Sequence, residues 1–306
     1  MADAITVGAF LRAAGIDLVG PPLPSGVVDA GATIRRAAAE ILAIPDDGLG
    51  RGWPFLHGEA DVRYGLYYIA ERIDEATATM LREGSPRATH GGANLVQATA
   101  ACWGLRGLLL DVGDDLLDRA PAGGEWSLRQ TLGHILATQV RYAFSTAYAL
   151  GRLAQPDLPV RPAESLIPAH ELSATLGLGG LAPILDRMSD LHHEGLAAIW
   201  GLDDWRGLAA PTVWAGFEVN VRFRLHRWAA HFREHAIQIE KTLDVIAAPP
   251  REIVRIARDL FRAWGRLEGV VLAHPERAAA RADWLADLAG TLRATAVSVR
   301  ESATPR

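Results

Sequence analysis

His231 and His235 are the residues whose type and spacing most directly indicate chemistry. They stand four residues apart in LHRWAAHFREHAIQIEKTL (225–243), a stretch with helical apolar periodicity. On a helix they share one face, one turn apart, with the Glu234 carboxylate at its edge. Two imidazoles at this spacing can bind one metal ion. Because ten histidines in 306 residues also produce such a pair by chance, the interpretation needs a third ligand.

The candidate third ligand, His134, lies in a second predicted helix, WSLRQTLGHILATQVRYAF (126–144). Ser127 can cap this helix, and Gln130 three residues later completes a capping-box pattern. His134 falls within the apolar face of the helix, which consists of Leu128, Leu132, Ile135, Leu136 and Val140. A histidine there is either a hydrogen-bonded core residue or a ligand.

The elements that must position these histidines are helices. Apolar periodicity predicts helices over 4–14, 33–44, 61–82, 94–117 and 181–200, besides the two above, and thus an all-α chain. Residues 45–53 are predicted to be a loop and 202–220 a connector. The Pro-rich interval 153–180 is predicted to be a lid or a partner-facing loop.

Composition limits the classes of function. The chain is 49% hydrophobic with a net charge of −5 and has no basic block, so we expect no nucleic-acid partner and a small-molecule substrate. There is no apolar run of membrane-spanning length, and residues 1–15 lack the basic start of a signal peptide, so we expect a cytoplasmic protein without a membrane partner. The single cysteine, Cys102, is interpreted as a buried structural thiol.

Two segments carry a family resemblance. WSLRQTLGHIL (126–136) followed by VRFRLHRWAAHFREHAIQ (221–238) resembles the DinB-like, or YfiT-like, superfamily, over residues 92–247. The resemblance implies a four-helix bundle with a long crossover and one divalent metal ion, zinc or nickel. Carried over residue by residue, it implies that the ligands are His134, His231 and His235. Three imidazoles leave a fourth coordination position for water or substrate.

Three functions remain open. The superfamily includes bacillithiol and mycothiol S-transferases and mycothiol-dependent maleylpyruvate isomerase, which implies a metal-dependent transferase that activates a thiol or water against a small electrophile. A thiol such as mycothiol would then be the cosubstrate. The alternative is a metal-binding stress or interaction module without turnover. A hydrolase is the third hypothesis, because HFREH (231–235) matches the pattern H-x-x-E-H, with Glu234 as a candidate catalytic base.

The rest of the chain is predicted to be a degenerate copy of the same bundle. VRYGLYYIAERIDEA (62–76) aligns without a gap with VRFRLHRWAAHFREH (221–235), and DWLADLAGTLRATAV (283–297) resembles EWSLRQTLGHILATQV (125–140). The second bundle, 1–91 with 248–306, is therefore circularly permuted around the first. Arg72, Ala76 and Thr291 stand at its ligand positions, so we expect no metal there. The protein is predicted to be a monomer with a pseudo-dimeric repeat, or a homodimer.

Overall fold

The computed structural model describes residues 5–16, 23–83, 89–168, 171–200 and 205–304. These residues are mainly helical, which confirms the all-α class. The helices are α1 (Val7–Ala13), α2 (Ser25–Leu42), α3 (Val62–Arg82), α4 (His90–Leu108), α5 (Leu128–Gly151), α6 (Leu172–Leu176), α7 (Leu181–Ala197), α8 (Trp205–Ala209), α9 (Val221–Ile246), α10 (Glu252–Leu272) and α11 (Pro275–Ala303). Of the described helices, none is both long and apolar enough to cross a membrane.

Two antiparallel hairpins interrupt the helices, each directly before a long helix. They are formed by strands β1 (Gly52–Phe55) and β2 (Gly58–Asp61), and by β3 (Pro211–Trp214) and β4 (Phe217–Asn220). The predictions of a loop over 45–53 and a connector over 202–220 are therefore incomplete. Each hairpin pairs four residues with four across a two-residue loop. The first loop residue is left-handed in both, with φ of 51° at Leu56 and 47° at Ala215.

The chain divides into two compact units. The first contains residues 1–22, 89–98 and 112–247, and the second contains residues 23–88, 99–111 and 248–306. The domains predicted from sequence, 92–247 and 1–91 with 248–306, have two large differences from these units, at residues 1–22 and 99–111, and one small one at 89–91.

Side-chain contacts explain both large differences. In the first unit, α1 packs on α5, where the rings of Phe10 and Phe144 lie 6.4 Å apart. The Gly8 N–H also donates a hydrogen bond of 2.9 Å to Glu194 Oε1. In the second unit, Trp103 packs edge-to-face against Phe261, with ring centroids 5.1 Å apart. Apolar contacts of this kind decide which core a segment joins.

The first unit is organised around α5, which contacts α1, α6, α7 and α9. The five apolar residues predicted to form its buried face are all buried: Leu128, Leu132, Ile135, Leu136 and Val140. On another side Gly133 allows α6 to approach closely, since a Cβ there would lie 2.2 Å from the Ser173 carbonyl oxygen. The helix that carries His134 is thus held on several sides.

The second unit is built around α10 and α11. Helix α11 contacts α2, α3 and α10, and α10 also contacts α2 and α3. The inner face of α10 buries Leu260, Trp264 and Leu267 almost completely. Burial of such side chains contributes roughly 1.5–3 kcal/mol each to folding, so the C-terminal helices are integral to this unit.

Candidate metal centre

Helix α5 begins where the sequence predicts, and this start fixes the position of His134. The Ser127 hydroxyl accepts a hydrogen bond from the Gln130 N–H (3.3 Å), and Gln130 Oε1 accepts one from the Ser127 N–H (2.9 Å). This reciprocal pair confirms the predicted capping box. His134 comes about two turns later, half-buried, with its ring centroid 5.1 Å from that of Trp126.

Helix α9 carries the other two histidines and begins at Val221, one turn earlier than predicted. Its N-cap is Asn220, whose side chain accepts a hydrogen bond of 2.9 Å from the Phe223 N–H. The helix buries Leu225, Trp228 and Phe232. His231 lies near this buried side, and His235 stands one turn later. Because α9 contacts α5, both face His134.

The three predicted ligands meet at one point. His231 Nε2 lies 3.2 Å from His134 Nε2 and 3.0 Å from His235 Nε2. One ligand nitrogen from each ring fits within a cluster in which no two of these atoms are more than 4.8 Å apart. In a tetrahedral zinc site, bonds of about 2.0–2.1 Å place two nitrogens about 3.3 Å apart. The observed spacing therefore fits a single metal ion bound by all three rings.

The protonation of the rings also fits a metal site. Burial, together with the neighbouring rings of His235 and His134, lowers the pKa of His231 to about 2. Burial likewise lowers the pKa of His235. His235 Nδ1 lies 2.8 Å from Gln238 Oε1, so its Nδ1–H donates to that oxygen and Nε2 keeps a lone pair. Neutral rings with inward-facing lone pairs are what a cation requires.

Glu234, the candidate catalytic base, lies outside the histidine cluster. Its two carboxylate oxygens accept hydrogen bonds of 2.5 and 2.9 Å from the Arg227 guanidinium. This bidentate contact is the first cause of a lowered pKa for Glu234, and the same contact raises the pKa of Arg227. A carboxylate held in its ionised form is a weaker proton acceptor.

A cavity of about 650 Å³ opens beside the cluster and is lined by both His134 and His231. Hairpin β3–β4 contributes Thr212, Val213 and Trp214 to its wall. The interval 153–180, predicted to be a lid or partner-facing loop, contributes Arg161, Pro162, Glu164 and Ile167. A small molecule in this space therefore reaches the histidine cluster.

Four arginines line the same cavity: Arg141, Arg161, Arg224 and Arg227. The most buried is Arg224, which is 7% exposed and stacks over the Tyr142 ring at 5.4 Å. Burial lowers the pKa of Arg224 to about 10, with Tyr142 raising it and the nearby Arg141 lowering it to a smaller extent. Burial also lowers the pKa of Arg141, whose Nε donates a hydrogen bond of 2.8 Å to the Pro168 carbonyl.

The sequence interpretation did not identify these arginines, although a signal was present. Arg224 precedes His231 by seven residues, and Arg141 comes seven residues after His134. Seven residues are close to two helical turns, so each arginine shares a face with a histidine of its own helix. Arg161 carries no such signal, because it lies outside the helices.

The matched family agrees with this geometry. A family model described as the DinB superfamily matches residues 102–239, a range that contains His134, His231 and His235. Comparisons with curated proteins and with solved structures give no match. This match confirms the resemblance predicted from the two histidine-bearing segments, since both segments lie within the range that the DinB superfamily model covers.

Proposed function

We propose that the DinB-superfamily region is a metal-dependent enzyme of the S-transferase type, which activates a thiol or water against a small electrophile. The observation that carries this proposal is the convergence of three imidazole nitrogens, 3.2 and 3.0 Å apart, at the wall of the cavity. Metal ligands that line a cavity of small-molecule size are typical of catalytic sites rather than closed structural ones.

His134, His231 and His235 would hold one divalent ion, and imidazole ligands suit zinc or nickel. When bound, such an ion lowers the pKa of a water or thiol at its open position. The chain positions its ligands by contact: the Gln238 amide oxygen orients His235, and the Tyr142 ring packs edge-on against His231 at 5.6 Å. A low-molecular-weight thiol such as mycothiol is the proposed cosubstrate.

The hydrolase hypothesis has less support. In that mechanism Glu234 would act as the general base, and an efficient general base has a pKa near the working pH. The bidentate contact with Arg227 lowers the pKa of Glu234 instead. The non-catalytic metal-binding module uses the same three histidines, so only an activity measurement separates it from an enzyme.

Metal content tests the site. Purified protein should carry about one zinc or nickel ion per chain, and His231→Ala and His134→Ala should each lose it while keeping the helical circular dichroism. His226→Ala is the matched control, because His226 lies on the same helix and contacts His90 at 3.1 Å, not the cluster. Full occupancy in both cluster variants would refute the site.

Conjugation assays test the activity. Mycothiol, bacillithiol and glutathione are each offered with a generic electrophile to wild type and to His231→Ala. Wild type should turn over at least one thiol faster than the variant. If thiols and hydrolysable esters are turned over equally by both proteins, the metal-binding module without turnover is the correct function.

We further propose that the second unit is a degenerate, circularly permuted four-helix bundle without a metal site. Its helices α10, α11, α2 and α3 would take the places of α4, α5, α7 and α9. The hairpins support this correspondence, since β1–β2 leads into α3 as β3–β4 leads into α9. Asp61 caps α3 through the Tyr64 N–H at 2.7 Å, as Asn220 caps α9.

The positions aligned with the ligands are consistent with a lost site. Arg72 and Thr291, aligned with His231 and His134, line one cavity of about 340 Å³ in the second unit. Trp284, aligned with Trp126, lines it too. Arg72 forms an ion pair with Glu75, and the third position is occupied by Ala76. None of these three side chains is a metal ligand of the kind that holds zinc.

A further inference from the structure

The side chains that line the cavity beside the histidine cluster carry more positive than negative charge. Four arginines line it, and among its described lining residues Glu164 is the one carboxylate. Arg227 is neutralised by its bidentate contact with Glu234. Arg161 donates to the Gly216 carbonyl at 3.1 Å. Arg141 has the Glu171 carboxylate nearby, which raises the pKa of Arg141. The wall therefore carries an excess of positive charge.

Arg224 is the most informative of these groups. Its guanidinium donates to the Val213 carbonyl and lies over the Tyr142 ring, while its Nε has no hydrogen-bond partner among the described residues. None of the ion pairs of the described residues includes Arg224. A buried charge without a counter-ion is costly, and the cost is removed when an anion binds. Arg224 therefore lacks a negatively charged partner among the described residues.

A bound ligand can supply this negative charge. Arg141 lines the same cavity and contributes a positive charge near Arg224, so a single oxyanion can contact both guanidinium groups. The cavity wall also includes Trp214, Tyr142 and Ile167, which suit a planar or apolar body. Because His134 and His231 line the same space, a molecule anchored by the arginines also reaches the histidine cluster.

We propose that this cavity selects a small organic molecule with a carboxylate, which Arg224 and Arg141 bind as its anchor. The proposal rests on the proposed function, since it names the substrate class of the same site. The arginines select the electrophile by its carboxylate, and the histidines that would hold the metal ion lie at the wall of the same cavity.

Binding of benzoate, measured by calorimetry, tests the proposal without a known substrate. Benzamide has the same shape without the charge, so wild type should bind benzoate at least tenfold more tightly. Arg224→Gln should reduce benzoate affinity at least tenfold, and Arg222→Gln should leave it unchanged. Arg222 is the matched control because it is exposed on the same helix and does not line the cavity.

The comparison of benzoate with benzamide needs no arginine variant, so when it is made in metal-free His231→Ala it remains decisive if Arg224→Gln does not fold. Equal affinity for the two compounds, or unchanged benzoate affinity in folded Arg224→Gln, would overturn the proposal. Inorganic phosphate binding tenfold more tightly than benzoate would overturn the choice of carboxylate.

Measurements on His231→Ala separate this proposal from the proposed function. Benzoate binding that persists in the metal-free variant supports an arginine anchor, whereas binding that disappears with the metal and survives Arg224→Gln contradicts it. Benzoate binding without any turnover would leave the anchor standing and remove the enzyme. Turnover of a neutral electrophile without benzoate binding would support the enzyme and contradict the arginine anchor.

Discussion

Replacement of Gln238 by methionine should weaken metal binding without removing a ligand. The Gln238 oxygen lies 2.8 Å from His235 Nδ1 and fixes the tautomer that presents Nε2 to the cluster. Methionine keeps the volume and loses the acceptor. Loss of such an outer hydrogen bond typically lowers metal affinity about 10–100-fold, which equals about 1.4–2.7 kcal/mol. Titration with zinc or nickel against a competing chelator measures this difference.

Two further variants determine whether the hydrogen bond is the cause. Gln238→Glu keeps an acceptor at the same place, so its metal affinity should equal or exceed that of wild type. Glu240→Gln changes an exposed residue of the same helix and should have no effect. If Gln238→Met binds metal as tightly as Glu240→Gln does, the orientation of His235 does not depend on Gln238 and the reasoning is wrong.

Two other predictions concern stability. His192 is buried against Trp228 and Phe232, and burial lowers its pKa to about 3. In the unfolded chain this histidine takes up a proton near pH 6.5. The free energy of unfolding therefore falls as the pH drops below that value. From pH 8 to pH 5 this histidine should account for about 2 kcal/mol, measured as the difference in urea unfolding between wild type and His192→Gln with chelator present; identical pH profiles would contradict it. Deletion of residues 249–306 removes α10 and α11 and exposes the apolar faces of α2 and α3, so the truncated protein should aggregate at full-length concentrations in light scattering. A truncated chain that is soluble, monomeric and as heat-resistant as the full chain would disprove the shared core.

Local signals predicted the helices that carry the site. The capping box at Ser127 and the apolar periodicity after it depend on residues within one or two turns, so the start of α5 is confirmed. The end of α4 was predicted wrongly, at Leu117, although the helix ends at Leu108. Asp111 adopts a φ of 65°, which a continuing α-helix does not allow. The rest of the predicted helix contains a short 3₁₀ turn instead, at Asp114–Leu116.

The hairpins were missed for a different reason. Four-residue strands such as PTVW (211–214) and FEVN (217–220) give too few alternations to distinguish a strand from a loop. Each hairpin is supported by helices that it contacts: β1 contacts α3 and α11, and β3 contacts α5 and α9. Such support is tertiary and is not encoded in the strand itself.

The convergence of the histidines was predictable only through the resemblance, since spacing alone left His134 as a core residue or a ligand. The charge of the cavity was not predictable in the same way. Arg141 and Arg224 become neighbours because α5 packs on α9, and Arg161 joins them from an irregular segment. Contacts between distant segments decide the chemistry of the wall, whereas the spacing of His231 and His235 is decided within one helix.

Hairpin β3–β4 leads directly into α9, so one continuous segment determines both the shape of the cavity wall and the spacing of two histidines. These two properties can change independently. The Val221 N–H donates to the Ala210 carbonyl at 3.1 Å, so the hairpin is tied to the start of the helix that holds His231 and His235. The loop Ala215–Gly216 faces the cavity but is separated from the start of α9 by the whole of strand β4. Substitutions in that loop therefore alter the shape of the wall while the spacing of the histidines stays constant. Among related proteins, or in a designed library, changes in this one short loop can therefore alter substrate preference. The geometry of the three histidines stays the same.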